Sequence, residues 1–539
     1  MVIESTKILK MKRLFTILIL FCAAVAAEAQ ITEINKPLKD FSNVYDLSTP
    51  LSAGITILYA NVNGNENIWR DASVFSNSCS HQKNTLPNRF VDEDTKERLL
   101  NIIIEELIVY NDSIACVITK NNSERFSIRL LGFEDGNWLN ICENGSNSLE
   151  SLREWFYTYA SYHLNRLRMS SVVKKVSTDT LAFVNCIKQQ GVAPKEYLLE
   201  VLAKHPLVIF GEIHRRKISW DLLSSVLFDP RFSEIVGTIF VELPAYQQDE
   251  FNRFYSSKEL DTEILLDIMR SMMTTGWIDR GEYEFLINLW KLNQTLSNDM
   301  KIRVVPVDEQ TPWKFLQTKD DYDKWEANSI DRNTRMADVV EQTIKTKNDT
   351  RNNLFIVGYG HAYKSHIQGS YSTPMGQDPA LTAGAQLVQR FSNEDVFTIL
   401  QHVPMGTNFG ALGLVRQGLF DVVFEKIGNL PIAFNLANTP FGSEPFDADF
   451  EDAFDSRVGN YADNFDGYIF LQPLKDEDTD YVLYDIISDK YISEIKRRET
   501  LTGRKLYRWI EGELTKEKII ESWKEDEGKK RWRYLFEEK

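Results

Sequence analysis

Four short apolar runs in the middle of the chain each end on an ionisable residue. Leu207-Val208-Ile209-Phe210 leads into Gly211-Glu212-Ile213-His214, and Ile239-Phe240-Val241 into Glu242. Ile302-Arg303-Val304-Val305-Pro306-Val307 leads into Asp308, and Leu354-Phe355-Ile356-Val357-Gly358-Tyr359-Gly360 into His361. Unbroken runs of this length, separated by helical sequence, predict strands of a parallel sheet covered on both faces. In such sheets ligands bind beyond the carboxyl ends of the strands. Strands that finish in Glu and His, Glu, Asp and His therefore aim acids and bases at one crevice.

The chain length of 539 residues allows two or three domains around a large core. The formal net charge of −16 argues against a nucleic-acid partner, since phosphates would repel it and no basic patch is segregated in the sequence. The N-terminus predicts an export signal. Lys7, Lys10, Lys12 and Arg13 precede an apolar run from Leu14 to Ala27, and Ala27-Glu28-Ala29 offers a cleavage site before Gln30. An apolar run of about 14 residues is short for a membrane span, so no stable span is expected after signal removal. Phe21 is bulky where a lipoprotein signal wants a small residue, which disfavours a lipid anchor at Cys22. The expected location is periplasmic or secreted. Cys79, Cys116, Cys142 and Cys186 form no C-x-x-C pair, so no zinc or redox signature is present.

The expected organisation is a signal over residues 1–29, an accessory α+β domain over 30–190, a catalytic α/β domain over 191–475 and a helical extension over 476–539. In the accessory domain, residues 102–110, 113–119, 125–132 and 138–142 read as an antiparallel meander with Asn/Asp/Gly turns, followed by an aromatic-rich helix from Leu149 to about Met169. His81 and His163 stand alone there. In the second region strands alternate with helices, the pattern of a mainly parallel central sheet with flanking helices. Ile218, Leu222, Leu223, Val226 and Leu227 share one helical face, and Asp229-Pro230 ends that helix. The segment from Gln247 to Asn298 is too long for a simple crossover and is expected to cap the crevice. Further strands are expected at Val396–Leu400 and Asp466–Leu471. The acidic run from Phe446 to Asp452 lacks the glycine and terminal glutamate of a calcium loop. Mixed Lys and Glu from Glu511 to Lys539 read as a solvated amphipathic helix.

A histidine flanked by carboxylates suits general-base work, because its pKa lies near neutrality and the carboxylate fixes its tautomer. Glu212 and His214 would face one side of a continuing strand, with Glu242 on the adjacent strand and His361 on another. No G-x-S-x-G elbow is present, so a covalent acyl-enzyme is not signalled. A water activated by His214 or His361 and oriented by Glu212 and Glu242 fits better, with Arg332, Arg335 or Arg215 placed to stabilise an oxyanion. The same two histidines and their carboxylates could instead hold zinc, manganese or iron, although no H-E-x-x-H spacing supports a metal site.

At these residues the sequence resembles the erythromycin esterase family, within a superfamily that also holds ChaN-like haem-binding lipoproteins and TraB/TIKI-type metalloproteases. Phe210-Gly211-Glu212-Ile213-His214 resembles the family's opening G-E-(x)-x-H element, and Phe240-Val241-Glu242 its second-strand glutamate. Gly276-Trp277, Glu282-Tyr283-Glu284-Phe285-Leu286, Leu289-Trp290 and Asn293 are similar to its W…E…L…W…N helix. Val305-Pro306-Val307-Asp308-Glu309-Gln310, Asp331-Arg332-Asn333-Thr334-Arg335-Met336-Ala337-Asp338 and Val357-Gly358-Tyr359-Gly360-His361 resemble its remaining elements, in order. One residue separates Glu212 from His214, a spacing closer to the ChaN-like pattern, and Arg215 stands where the family usually has glycine. The resemblance implies that His214 is the general base on water and that Glu212 and Glu242 position it. It also implies that His361 and Arg335, with Arg332 and Asp308 nearby, bind substrate. The implied activity is metal-independent hydrolysis of an ester of a small molecule, without a cofactor. The alternatives are a metal-dependent peptidase of the TIKI/TraB type and a haem or ligand binder of the ChaN type. For the haem binder, Tyr246, Tyr359 and Tyr363 are the candidate ligands.

Overall fold

The computed structural model describes residues 30–73, 90–121, 125–134, 136–157, 160, 180–272, 277–364, 381–406, 412–447, 459–479, 481–507, 510, 512–524 and 529–536. The signal segment with Cys22, the residues Cys79, His81, His163 and Gly276, and the acidic run beyond Asp447 lie outside them. The described residues fall into two compact units, the first running to residue 160 and the second from residue 180. Among the described residues no helix is long and apolar enough to cross a membrane.

The first unit carries a five-stranded antiparallel sheet, β1 (Gln30–Pro37), β2 (Ile103–Asn111), β3 (Ile114–Lys120), β4 (Phe126–Glu134) and β5 (Asn137–Ser146), in sequential order. The four expected strands are present within a few residues. The first strand and the helix α1 (Pro50–Asn63) were not foreseen. The β1 strand is mostly exposed and polar, so it shows no alternation to read. The α1 helix is buried almost all round and starts at a Thr49/Ser52 capping box, so it has no polar face to give a helical period. Gly54 brings it onto the sheet, since a Cβ there would stand 2.8 Å from Val117.

The second unit is α/β. Its sheet contains β6 (Leu207–Glu212), β7 (Val236–Pro244), β8 (Arg303–Asp308), β9 (Asn352–Gly358), β10 (Val396–Gln401), β11 (Ile432–Asn435) and β12 (Gly467–Phe470). The spatial order is β11-β12-β10-β6-β9-β7-β8, parallel except for β11. Every residue of β6, β7 and β10 is buried, as expected of strands covered on both faces. Val208 and Phe210 pack into one hydrophobic cluster and Leu207 and Ile209 into another, the alternation that a pleated strand imposes. The helices that matter below are α2 (Lys217–Leu227), α3 (Gln248–Ser256), α4 (Thr262–Arg270), α5 (Arg280–Thr295), α6 (Arg332–Thr346) and α7 (Asp489–Thr502). The described residues of the segment from Gln247 to Asn298 include α3, α4 and α5.

From β6 the chain goes to one side for β7, β8 and β9, then crosses to the other side for β10. The switch of direction falls at β6, where crevices open beyond the strand ends. The C-terminal stretch differs from the solvated helix expected of it. Among its described residues only Lys516–Lys524 is α-helical, and the segment beyond it buries Trp532. Lys/Glu spacing does not reveal a turn that is held by side-chain hydrogen bonds.

Candidate active site

Glu212 ends β6, and the chain then turns through Ile213, His214 and Arg215. Arg215 has φ 61°, in the left-handed region where a side chain is strained and glycine is free. That turn swings the imidazole of His214 back over Glu212, with Nδ1 2.5 Å from Oε1. Asp279 accepts from the Arg215 amide at 2.8 Å and from Trp220 Nε1 at 3.3 Å, and it also caps α5. Trp277 stands edge-on to the His214 ring at 4.5 Å. These contacts fix the imidazole while leaving 43% of its side chain accessible.

Glu242 lies on β7, which is not the neighbour of β6. The β9 strand runs between them, with Gly358 paired opposite Glu212. Side chains two strands apart meet here because the residue between them has none. A Cβ on Gly358 would stand 3.2 Å from Glu242 Oε2, 3.2 Å from His214 Cε1 and 3.4 Å from His214 Nε2. The Gly358 amide donates to Glu242 Oε2 at 2.8 Å. One donor atom each from Glu212, His214 and Glu242 lie within 4.8 Å of one another.

His361 follows β9 in a single 3-10 turn and is 5% exposed. Its Nδ1 is 2.7 Å from Asn333 Oδ1. The same Oδ1 accepts the amide of Ala383 at 3.1 Å, so it is an acceptor and Nδ1 of His361 must carry the proton. Nε2 of neutral His361 therefore presents a lone pair, 3.6 Å from Glu242 Oε1. Arg332, at the start of α6, donates to Glu242 Oε1 at 2.7 Å and to both oxygens of Asp308 at 2.8 and 2.9 Å. Glu212, His214, Glu242, His361, Asp308 and Arg332 are thus brought together. Arg335 is not with them and pairs with Glu309 at 2.7 Å.

The charges around the two imidazoles push them apart. Burial alone would lower the proton affinity of His214, but Glu212 beside it, then Glu242 and Asp279, hold its pKa up at about 10. Burial of His361, aided by repulsion from Arg332, outweighs the attraction of Glu242 and Asp308 and brings it down to about 4. Burial disfavours the Glu242 anion, yet His361, His214, Arg332 and the Gly358 amide hold it down at about 2. Burial beside Asp279 and Glu212 pushes the carboxyl of Glu282 well up. These directions favour an imidazolium at 214, a carboxylate at 242 and a neutral imidazole at 361 at neutral pH, while burial pushes the Glu212 carboxyl up from its ordinary range.

Glu212, His214 and Glu242 each offer an oxygen or nitrogen to a divalent ion; Glu212 Oε2 has no hydrogen-bond partner among the described residues and His214 Nε2 is open, while the other donors are engaged. Nδ1 of His214 is on Glu212, and both oxygens of Glu242 are taken by Arg332 and Gly358. A metal ion held by this set would have to share Glu242 with Arg332 and the Gly358 amide. Two of the three candidate haem tyrosines are engaged elsewhere. Tyr363 is 1% exposed and packs edge-on to Phe446 and Phe465, and Tyr246 donates to Thr311 O at 3.1 Å.

Asn333, Asp279 and Arg531 join the site without a role expected from the sequence. Asn333 sits inside the Asp331-Arg332-Asn333 element, where the N-cap Asp331 marks a helix start that points the next side chains at the strand ends. Asp279 carries the same signal before α5. Arg531 has none: it donates to the carbonyl oxygen of His214 at 2.6 Å and also to that of Arg215, from 317 residues away. Its segment is pinned by Glu477, whose carboxylate accepts from both Arg216 and Trp532. Arg531→Met leaves two carbonyls of the turn without their charged donor. The expected loss is about 1.5–3 kcal/mol in denaturant unfolding, and a loss below 0.5 kcal/mol would show that the strap does not hold the turn.

Gly358→Ala isolates the crowding at the centre. The backbone there (φ −50°, ψ 133°) suits alanine, so the added methyl acts first on Glu242 and His214. The expected result is a fall of at least tenfold in kcat with a stability change of about 1–3 kcal/mol, and unchanged turnover would mean that the two side chains need not meet over this residue.

No known family profile matches the chain, and no curated protein matches it either. Among solved structures it is similar to a succinoglycan biosynthesis protein, with a TM-score of 0.39 and 11% identity over 55% of this chain and 98% of that one. It is similar to an erythromycin esterase in its open conformation, with 0.36 and 12% over 53% and 95%. It is also similar to the haem-binding ChaN of Campylobacter jejuni, with 0.26 and 12% over 39% and 86%. These likenesses are distant, and none carries an activity over to this chain.

Proposed function

We propose that this protein is an exported, metal-independent hydrolase that attacks an ester, lactone or amide of a small molecule with a water held among His361, Glu242 and His214. The observation that carries this reading is the meeting of two imidazoles at one carboxylate: His214 beside Glu212 with donor atoms within 4.8 Å of Glu242, and His361 Nε2 3.6 Å from Glu242 Oε1. Groups whose pKa values are driven apart in one site are suited to separate acid and base roles. His361 takes a proton from water at Nε2, since Nδ1 is committed to Asn333. The 3.6 Å between Nε2 and Glu242 Oε1 is too long for a direct hydrogen bond and leaves a water able to touch both. The water oxygen attacks the acyl carbon. His214, held by Glu212, donates from Nε2 to the oxygen on which charge develops and then to the leaving group. Glu242, fixed by Arg332 and the Gly358 amide, stabilises whichever imidazole is cationic. The assignment reverses the roles implied by the family resemblance, in which His214 is the base.

The test is a panel of p-nitrophenyl esters, lactones and a peptide amide, turned over by the full-length protein with and without EDTA. Ester or lactone hydrolysis that survives chelation supports the proposal. Hydrolysis abolished by chelator and restored by zinc or manganese would sink metal independence. No turnover of any substrate, with a Soret band on adding haem, would replace hydrolysis by ligand binding.

A further inference from the structure

A cavity of about 550 Å³ opens in the second unit away from the histidines, among α3, α4, the turn after β8 and α7. That volume is ordinary for a small-molecule site. None of its lining residues belongs to the acid–base cluster, although Tyr246 and Gln247 follow Glu242 and Trp313 follows Asp308. The walls are built rather than incidental. Trp313 and Tyr491 are 2% and 3% exposed, and the Arg498 guanidinium, equally buried, lies over their rings at 4.9 and 5.3 Å.

The charge of this cavity is opposite to that of the chain. Six cationic side chains and three anionic ones line it, in a protein of net charge −16. Arg497 and Arg498 share the single carboxylate of Glu494 at 2.7 and 2.8 Å, which leaves one positive charge over. Both are further pinned on backbone carbonyls, Arg497 on Leu316 and Trp313 and Arg498 on Arg270. Lys314 lies 5.1 Å from the ring centre of Phe315 and 3.4 Å from Gln247 Oε1, with no carboxylate partner among the described residues. Lys490 makes no ion pair or side-chain hydrogen bond among the described residues, and it stands in the first turn of α7. A cation is disfavoured at that end of a helix, where the dipole and the open amides prefer negative charge. Asp489 in the same turn and the Ser488 cap on the Tyr491 amide already answer the helix end, so the charge left for an anion to meet is that of the two lysines.

We propose that this cavity binds a small organic anion, a carboxylate or phosphate ester, with Lys314 and Lys490 as its charge partners. The inference does not depend on the hydrolase reading. Isothermal titration of the full-length protein at low ionic strength tests it, with phenyl phosphate and benzoate as probes and benzyl alcohol as the neutral control. The expected result is saturable binding of at least one anion, no binding of the alcohol, and at least tenfold weaker binding in Lys314→Ala/Lys490→Ala. Both lysines are exposed, so that variant keeps its fold, which circular dichroism verifies. Binding in His214→Ala is expected to match wild type. Failure of wild type to bind either anion, equal binding by the double variant, equal binding of the alcohol, or loss of binding in His214→Ala would each overturn the proposal.

Discussion

His214→Ala is expected to lower kcat/KM on the best ester or lactone substrate by about 10³-fold, the range for losing a positioned proton donor at a developing oxyanion. The fold should survive. The side chain is 43% accessible, and the turn that carries it is held through backbone groups, by Asp279 on the Arg215 amide and Arg531 on the carbonyl oxygens. The substitution leaves Glu212 buried without its counter-charge, so the carboxyl is expected to take up a proton instead of unfolding the site. His214→Gln keeps a donor near the same place but no charge, and should recover only part of the loss. The decisive measurement is kcat/KM together with the unfolding midpoint for wild type and both variants. Turnover within threefold of wild type in the alanine variant would remove His214 from the chemistry.

How much of this was legible in the sequence follows from where each signal resides. Strands buried on both faces announce themselves as continuous apolar runs, so β6 to β10 and β12 were placed within a few residues, as were the charged groups at their ends. Strand order is a different kind of information. Nothing in the runs shows that β9 inserts between β6 and β7, yet that insertion makes Gly358 the residue over which His214 and Glu242 meet. Glu242 was expected one strand from Glu212 and lies two strands away. Arg332 and Arg335 are three apart near the start of one helix and look equivalent in sequence. One reaches Glu242 and Asp308, and the other stops at Glu309. Arg215 carried a legible oddity, a bulky residue where the resembled family has glycine, and the structure finds it in the left-handed conformation that glycine enters freely. A strained residue beside the reactive side chain persists where surrounding contacts over-determine it, and Asp279 and Arg531 supply those contacts. Arg531 and the cationic cavity come from chain segments with no periodic or motif signal, so only the coordinates connect them.

The protonation states make the two role assignments separable in one experiment. Take His361 as base and His214 as acid. The base form of His361 is lost only as pH falls through about 4, and the acid form of His214 only as pH rises through about 10. Between pH 5 and 9 both groups are in their working states, so kcat/KM is expected to stay flat within about threefold. With His214 as the base, the active form is the minor neutral imidazole throughout that window. Rate would then climb about tenfold per pH unit from 5 to 9, because each unit raises the neutral fraction tenfold while the pKa stays near 10. The two profiles differ by several orders of magnitude at their ends, well beyond any effect of substrate or buffer. His361→Asn should flatten nothing under the first assignment and instead remove most of the rate at every pH, since the proton acceptor itself is gone. Under the second it should leave the steep slope in place. A steep rise in wild type, retained in His361→Asn, would return the base to His214 and reduce His361 to a buried support for Glu242.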